Sequence, residues 1–262
     1  MSDAEIRYSS ADSVARVVIA QPAKLNAISW TMWRSLPAVL RRAEAESSVR
    51  VIVVEGEGAR AFSAGADISQ FSEQRSAGES ARAYEAAVAA AMDALANASK
   101  PTVAIIRGLA FGGGLALAMC CDLRLSTTDA RFRIPAARLG IGYAFAAVEA
   151  LVERIGLSAA ADLLLTARTI DGREAERLKV LSKAWEPASF ETEAAACVRA
   201  VAANAPLTLR ALKAALDECR RPPQERDRVR MDDLVQACMN SADYLEGQAA
   251  FREKRTPNFL GS

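Results

Sequence analysis

Three consecutive glycines, Gly112-Gly113-Gly114, separate an apolar, β-branched run ending at Ile106 from the uncharged run Leu115 to Cys121. The first run reads as a buried strand and the second as a short apolar helix. A strand that turns on glycine into a helix leaves unpaired N–H groups at the helix N-terminus, where the dipole favours negative charge. A second turn of this kind, Ala61-Phe62-Ser63-Ala64-Gly65-Ala66-Asp67, follows the β-branched run Val49 to Gly56. A phosphate-cradling P-loop requires Lys-Ser/Thr after its glycines, but Leu115-Ala116 follow here. A dinucleotide turn requires spaced rather than adjacent glycines. Two readings stay open: close strand-to-helix packing, and a pair of N–H donors converging on one oxygen. The presence of two such turns favours the donors.

The remaining chain alternates strand and helix signals. Ala15–Ala20 reads as a strand ending at Gln21-Pro22, and Ser29 can cap a helix from about Trp30 to Glu46. Residues Phe71 to Ser80 are polar and suggest a mobile loop. A helix follows over residues 81–98, broken by Lys100-Pro101, and Thr102–Ile106 is a strand. Asp122–Ser126 is a strand whose Asp122 is expected to bond locally, and Ala130–Pro135 continues as strand and turn. Helices are expected at Ala144–Ile155, Ser158–Leu165 and Gly172–Leu178, with one short strand within Lys179–Trp185. After Glu186 the pattern is helical, punctuated by Pro206, Pro222-Pro223 and Pro257. The order indicates an α/β core with a helical C-terminal portion.

The chain of 262 residues contains no histidine. Ser-His-Asp and Cys-His nucleophiles and His-ligated metal sites are therefore excluded, and no metal is expected. Proton transfer must fall to carboxylates, Tyr, Lys, Cys, water or the substrate. The 33 basic and 32 acidic residues nearly balance, which argues against nucleic acid or an anionic membrane as partner. Five cysteines without a CxxC are expected to be buried free thiols in a reducing, cytoplasmic compartment. The N-terminal residues show no signal-peptide pattern, and no uncharged stretch is long enough to span a bilayer.

Several segments together resemble the signatures of the crotonase (enoyl-CoA hydratase/isomerase) superfamily. They are Asn26-Ala27-Ile28, Ala61 to Ile68, Gly112 to Asp122, Pro135, Leu139-Gly140 and Glu246 to Arg255. The match runs in order along nearly the whole chain. The resemblance implies a spiral of ββα units over residues 1–200 and a C-terminal helical trimerisation region over 201–262. It implies a homotrimer or a dimer of trimers. It also implies an acyl-CoA ligand, with coenzyme A entering as part of the substrate and no permanently bound cofactor. The thioester oxygen would lie between the N–H groups of Ala66 and Gly113. Coenzyme A contacts would map to Lys24, Asn26, Ala27, Ala66, Asp67, Ile68 and Ser69. Phe251 and Lys254 would reach it from the same or a neighbouring subunit.

Two departures bear on the chemistry. Hydratases of the family use two glutamates as acid and base, and the matching positions here are Ala116 and Ala136. Loss of an acid–base group typically costs about 10²–10⁴-fold each, so ordinary hydration is expected to be weak or absent. The loop after Leu139-Gly140 lacks the aspartate of some isomerases and carries Tyr143 and Phe145. Tyr143 and Glu149 are the replacement acid–base candidates, although packing and helix-surface roles respectively explain them as well. Asp67 is expected to orient its turn. The expected function is an acyl-CoA-binding protein that stabilises a thioester enolate, of lyase or isomerase type; the alternative is a non-catalytic acyl-CoA binder or regulatory protein of the same fold.

Overall fold

The computed structural model describes residues 4–67 and 79–262, apart from the Ala146 side chain. Ile68, Ser69 and residues 71–78 of the expected mobile loop lie outside the described residues. The last two residues of that loop, Glu79 and Ser80, begin a helix.

Six strands form one sheet in the order β1-β2-β3-β5-β7-β10. They are β1 (Glu5–Ala11), β2 (Val14–Ala20), β3 (Val51–Gly56), β5 (Thr102–Ile106), β7 (Leu123–Thr127) and β10 (Lys183–Trp185). β1 pairs antiparallel with β2, and every other pairing is parallel. A second, four-stranded sheet runs β4-β6-β8-β9, from β4 (Ala61–Ser63), β6 (Leu109–Phe111), β8 (Arg131–Arg133) and β9 (Ile170–Asp171). Each long strand β3, β5 and β7 is followed by a short strand β4, β6 or β8, and then by a helix. Because β3-β5-β7 and β4-β6-β8 each pair in parallel, successive strand–strand–helix units stack as turns of a spiral. This is the ββα spiral that the resemblance implies.

Alternation along the strands buries both faces of the large sheet. Ile52, Val54, Ala104 and Ile106 face the main core, with α1 (Trp30–Ala45), α2 (Glu79–Ala96) and α3 (Gly113–Cys120). Val51, Val53, Val103 and Ile105 face Phe190, Ala194 and Val198 of α8 (Pro187–Ala202). The expected N-cap is present: Ser29 Oγ accepts the Met32 N–H at 3.3 Å. Between β8 and α8 lie α4 (Ala136–Leu139), α5 (Phe145–Ile155), α6 (Leu157–Thr166) and α7 (Gly172–Arg177). The chain ends in α9 (Pro206–Arg220), α10 (Arg228–Met239) and α11 (Ala242–Glu253).

Two sequence expectations require correction. Asp122 does not bond locally. Its Oδ2 accepts from the Thr102 N–H at 2.7 Å, the Thr102 hydroxyl at 2.9 Å and Lys213 Nζ of α9 at 2.8 Å. It thus ties the start of β5 to the C-terminal helices. The cysteines are all free, but only Cys121 is fully buried and Cys219 is exposed. Cys219 lies in the last turn of α9, next to Arg220 and Arg221, which are exposed as well.

Candidate functional site

An isolated parallel bridge between Ile28 and Ala66 pairs the end of the first turn with the segment before α1. The Ile28 N–H donates to the Gly65 carbonyl at 2.7 Å, and the Asp67 N–H donates to the Ile28 carbonyl at 3.1 Å. The Gly65 carbonyl and the Ala66 N–H belong to one planar trans peptide, so they point in opposite directions. Fixing the carbonyl on Ile28 therefore turns the Ala66 N–H away from Ile28. Upstream, Ser63 Oγ accepts the Gly65 N–H at 3.1 Å and Ala64 donates to the Leu25 carbonyl at 2.9 Å.

The second turn obeys the same rule. The Gly112 carbonyl accepts the Ala116 N–H at 3.0 Å, opening α3. The Gly113 N–H, on the same peptide, must then point back out of the helix N-terminus. Gly112 adopts φ 48°, ψ −120°, a conformation that side-chain-bearing residues avoid. Its own N–H donates to the Arg133 carbonyl at 2.8 Å. The glycines divide the two readings left open by the sequence. At Gly114 a β-carbon would stand 2.6 Å from Ser63 Cβ, so this glycine serves close packing. At Gly113 a β-carbon would stand 3.5 Å from Trp33 Cζ2 and 3.7 Å from the Ala66 nitrogen. Protein packing therefore tolerates a side chain there, and the bare space faces the other turn.

The two turns meet. Gly65, with φ 101°, would place a β-carbon 3.4 Å from the Gly113 nitrogen. Among the described residues, neither the Ala66 N–H nor the Gly113 N–H has an acceptor. Both residues are partly exposed. Two unpaired donors, one at a helix N-terminus, can hold one oxygen and stabilise negative charge developing on it.

Asp67 is buried beside them, and its Oδ2 accepts from Lys24 Nζ at 2.8 Å and Gln21 Nε2 at 3.3 Å. Lys24 is half-exposed, with its ammonium turned to Asp67. The Asn26 side chain is fully buried and works for the fold. Its Nδ2 donates to the Ala61 and Glu57 carbonyls at 2.7 and 3.0 Å, and its Oδ1 accepts the Gln21 N–H. Ala27 is buried, and its carbonyl accepts from Gln21 Nε2 at 2.9 Å.

Ala116 lies in the first turn of α3, and Ala136 opens α4 directly after Pro135. Pro135 Cδ would stand 3.6 Å from a β-carbon on Gly112, so α4 begins against the glycine turn. Tyr143 packs, partly buried, on the same core as Ala136 and Cys120. Burial, and secondarily the neighbouring Cys120 sulfur, push the Tyr143 phenol above its ordinary range. Burial pushes Cys120 up to about 11 and Cys121 up to about 12. These groups keep their protons at neutral pH and can donate hydrogen bonds. Glu149 is exposed on α5, and its side chain makes no hydrogen bond or ion pair among the described residues. Phe251 is 86% exposed on α11, and Lys254 caps that helix in a left-handed conformation. Neither is hydrogen-bonded to the two turns within this chain. Among the described residues no group of three or more His, Cys, Asp or Glu can hold a metal ion.

Sequence reasoning missed Gln21, Ile28 as a bridge partner, and Trp33, whose ring edge lies under Gly113. Gln21 carried the signal of a polar residue at the end of a buried strand. The role of Trp33 depends on which helix face meets α3, and no local pattern reveals that.

A sequence profile of the enoyl-CoA hydratase/isomerase family matches residues 9–262. A crotonyl-CoA hydratase of Syntrophomonas wolfei is 30% identical over 249 residues, covering 95% of each chain. A mitochondrial methylglutaconyl-CoA hydratase of Mus musculus is 30% identical over 245 residues, covering 90% of this chain and 76% of that one. The crystal structure of an enoyl-CoA hydratase/carnithine racemase from Magnetospirillum magneticum matches with TM-score 0.94 at 32% identity, covering 100% of this chain and 97% of that one. Spiral, paired turns and these relationships agree, and the chain belongs to the enoyl-CoA hydratase/isomerase family of the crotonase superfamily.

Proposed function

We propose that this protein binds an acyl-CoA thioester with its carbonyl oxygen between the Ala66 and Gly113 N–H groups and stabilises the enolate formed there. The observation that carries this reading is the pair of unpartnered donors meeting at the two turns. Relatives named as hydratases of CoA thioesters support the ligand class. With alanine at 116 and 136, neither position can move a proton, so ordinary hydration is weak.

The chemistry that fits is one in which the substrate supplies its own electrons. In a malonyl-type thioester, whose carboxylate sits on Cα, the bond from Cα to the carboxylate breaks and carbon dioxide leaves. The electron pair forms the enolate, whose oxygen is held by Ala66 and Gly113. A proton then reaches Cα from Tyr143 or from water. The raised pKa of Tyr143 suits it to donate rather than to accept. It is better placed than Glu149, which is exposed. Lys24 and Asp67 would line the path of the coenzyme A, which arrives with the substrate; no cofactor is required beyond it.

Residues 201–262 are assigned to self-association, as a trimer or a dimer of trimers. Leu212, Leu216, Val229, Val235, Leu245 and Phe251 on α9 to α11 are exposed in the single chain and support a covered face. Phe251 and Lys254 would then reach a neighbouring subunit's coenzyme A. A cytoplasmic setting is consistent with five free thiols. Among the described residues no helix is long and apolar enough to cross a membrane.

A panel of enoyl-, 3-oxoacyl- and malonyl-type CoA thioesters tests the function. Turnover of malonyl- or 3-oxoacyl-type members, with crotonyl-CoA hydration slow, supports it. Tight binding without turnover of any member identifies a non-catalytic acyl-CoA binder, and absence of binding overturns the ligand class.

A further inference from the structure

We propose that Gln21 is a positioning residue for the Ala66 donor, acting through the Ala27 carbonyl and the Asp67 carboxylate. The inference rests on the thioester reading above and adds the side chain that keeps the first turn in register.

Among the described residues the Ile28–Ala66 bridge is isolated, with no continuous ladder beside it to fix its pairing. Short unladdered pairings hold their register poorly. Gln21 spans this bridge. One of its Nε2 hydrogens goes to the Ala27 carbonyl at 2.9 Å, immediately before Ile28. The other goes to Asp67 Oδ2 at 3.3 Å, immediately after Ala66. The carboxamide thus ties together the two segments whose pairing aims the Ala66 N–H. Its own backbone closes the same loop: the Gln21 carbonyl accepts the N–H groups of Lys24 at 3.0 Å and Asn26 at 2.9 Å.

Lys24 reaches the same carboxylate oxygen at 2.8 Å, but from a half-exposed position where solvent screens the pair. Gln21 is only 8% exposed, so its hydrogen bonds meet little competition from water. Asn26 ties the loop to β3 and β4 and does not touch the Ala66 segment. Of these side chains, Gln21 is the buried one bonded to both sides of the bridge.

The test uses butyryl-CoA labelled at the thioester carbonyl, read by the shift of its carbonyl stretch on binding. Wild type is expected to lower the frequency. Gln21→Met, similar in shape but without the donors, is expected to lose at least half of that shift. It should bind butyryl-CoA about tenfold more weakly, the scale of one lost hydrogen bond. Affinity for free coenzyme A, which has no thioester carbonyl, should change less than about twofold by the same reasoning. Should Gln21→Met fail to fold, Gln21→Glu decides, because it keeps the size while setting a carboxylate against Asp67. A full carbonyl shift retained in the folded variant overturns the role of Gln21. An unshifted carbonyl in wild type overturns the thioester reading, and the role of Gln21 with it.

Discussion

The Ile28 N–H meets the Gly65 carbonyl at 2.7 Å, and that bond decides where the Ala66 N–H points. The donor is aimed by the other end of its own peptide plane. Gly112 and Gly113 repeat the device, with the first hydrogen bond of α3 in the role of Ile28. Neither donor is a side-chain group, so the geometry proposed to hold an oxygen does not depend on which residues stand at 116 and 136.

Gly113→Ala is expected to fold normally and lose the clamp. The new methyl group would rest 3.5 Å from Trp33 and 3.7 Å from the Ala66 nitrogen, both ordinary contacts, and would stand in the space between the two turns. Turnover should fall by about 10²–10³-fold, as for loss of an oxyanion donor. Thermal unfolding together with steady-state rates checks this; a folded variant with undiminished turnover contradicts it.

Gly114→Ala, one residue along, should behave in the opposite way. Its β-carbon would stand 2.6 Å from Ser63 Cβ and 2.7 Å from the Ser63 carbonyl, both in the packed interior. Destabilisation of about 1–3 kcal/mol is expected from such overpacking, measured by denaturant unfolding. Stability equal to wild type would show that α3 and β4 can separate freely.

The contrast between these neighbours shows what was legible in the sequence. The glycine run announced a strand–turn–helix, and the strands β3 and β5 followed from β-branched runs. Which glycine packs and which faces the other turn depends on the distance to Ser63 and Ala66, partners about fifty residues away. β1 was missed because Glu-Ile-Arg-Tyr-Ser-Ser-Ala carries little apolar alternation, and the edge strand forms by pairing with β2. β4 and β6 have three residues each, too few to show a period. Gln21 and Asp122 act through long-range bonds that no local pattern encodes.

Restoring both carboxylates should restore hydration. Ala116 lies in the first turn of α3, where the dipole favours an acidic side chain, and Ala136 opens α4 beside Gly112. The double variant Ala116→Glu, Ala136→Glu is expected to hydrate crotonyl-CoA faster than wild type by about 10²-fold or more, the usual share of one acid–base group. A folded double variant that binds crotonyl-CoA without a rate gain contradicts the assignment of these positions.

The C-terminal tail should respond to acid. Arg255, paired with Glu246 at 2.6 and 2.8 Å, and secondarily the Asn258 N–H at 2.7 Å, hold the Glu246 carboxyl down at about 2, against an ordinary 4.5. The folded pKa is depressed, so the contribution is complete above about pH 5 and is lost as pH falls through 4.5 towards 2. Protection of the Asn258 amide from hydrogen exchange should decline across that window in wild type and stay low throughout in Glu246→Gln. Unchanged wild-type protection at pH 2 would contradict the pairing.

A crystal structure with a saturated acyl-CoA tests the clamp most directly. The thioester oxygen should lie about 2.7–3.2 Å from both the Ala66 and Gly113 nitrogens, with no carboxylate of this chain near Cα. A carbonyl oxygen turned away from either nitrogen would contradict the two-donor site.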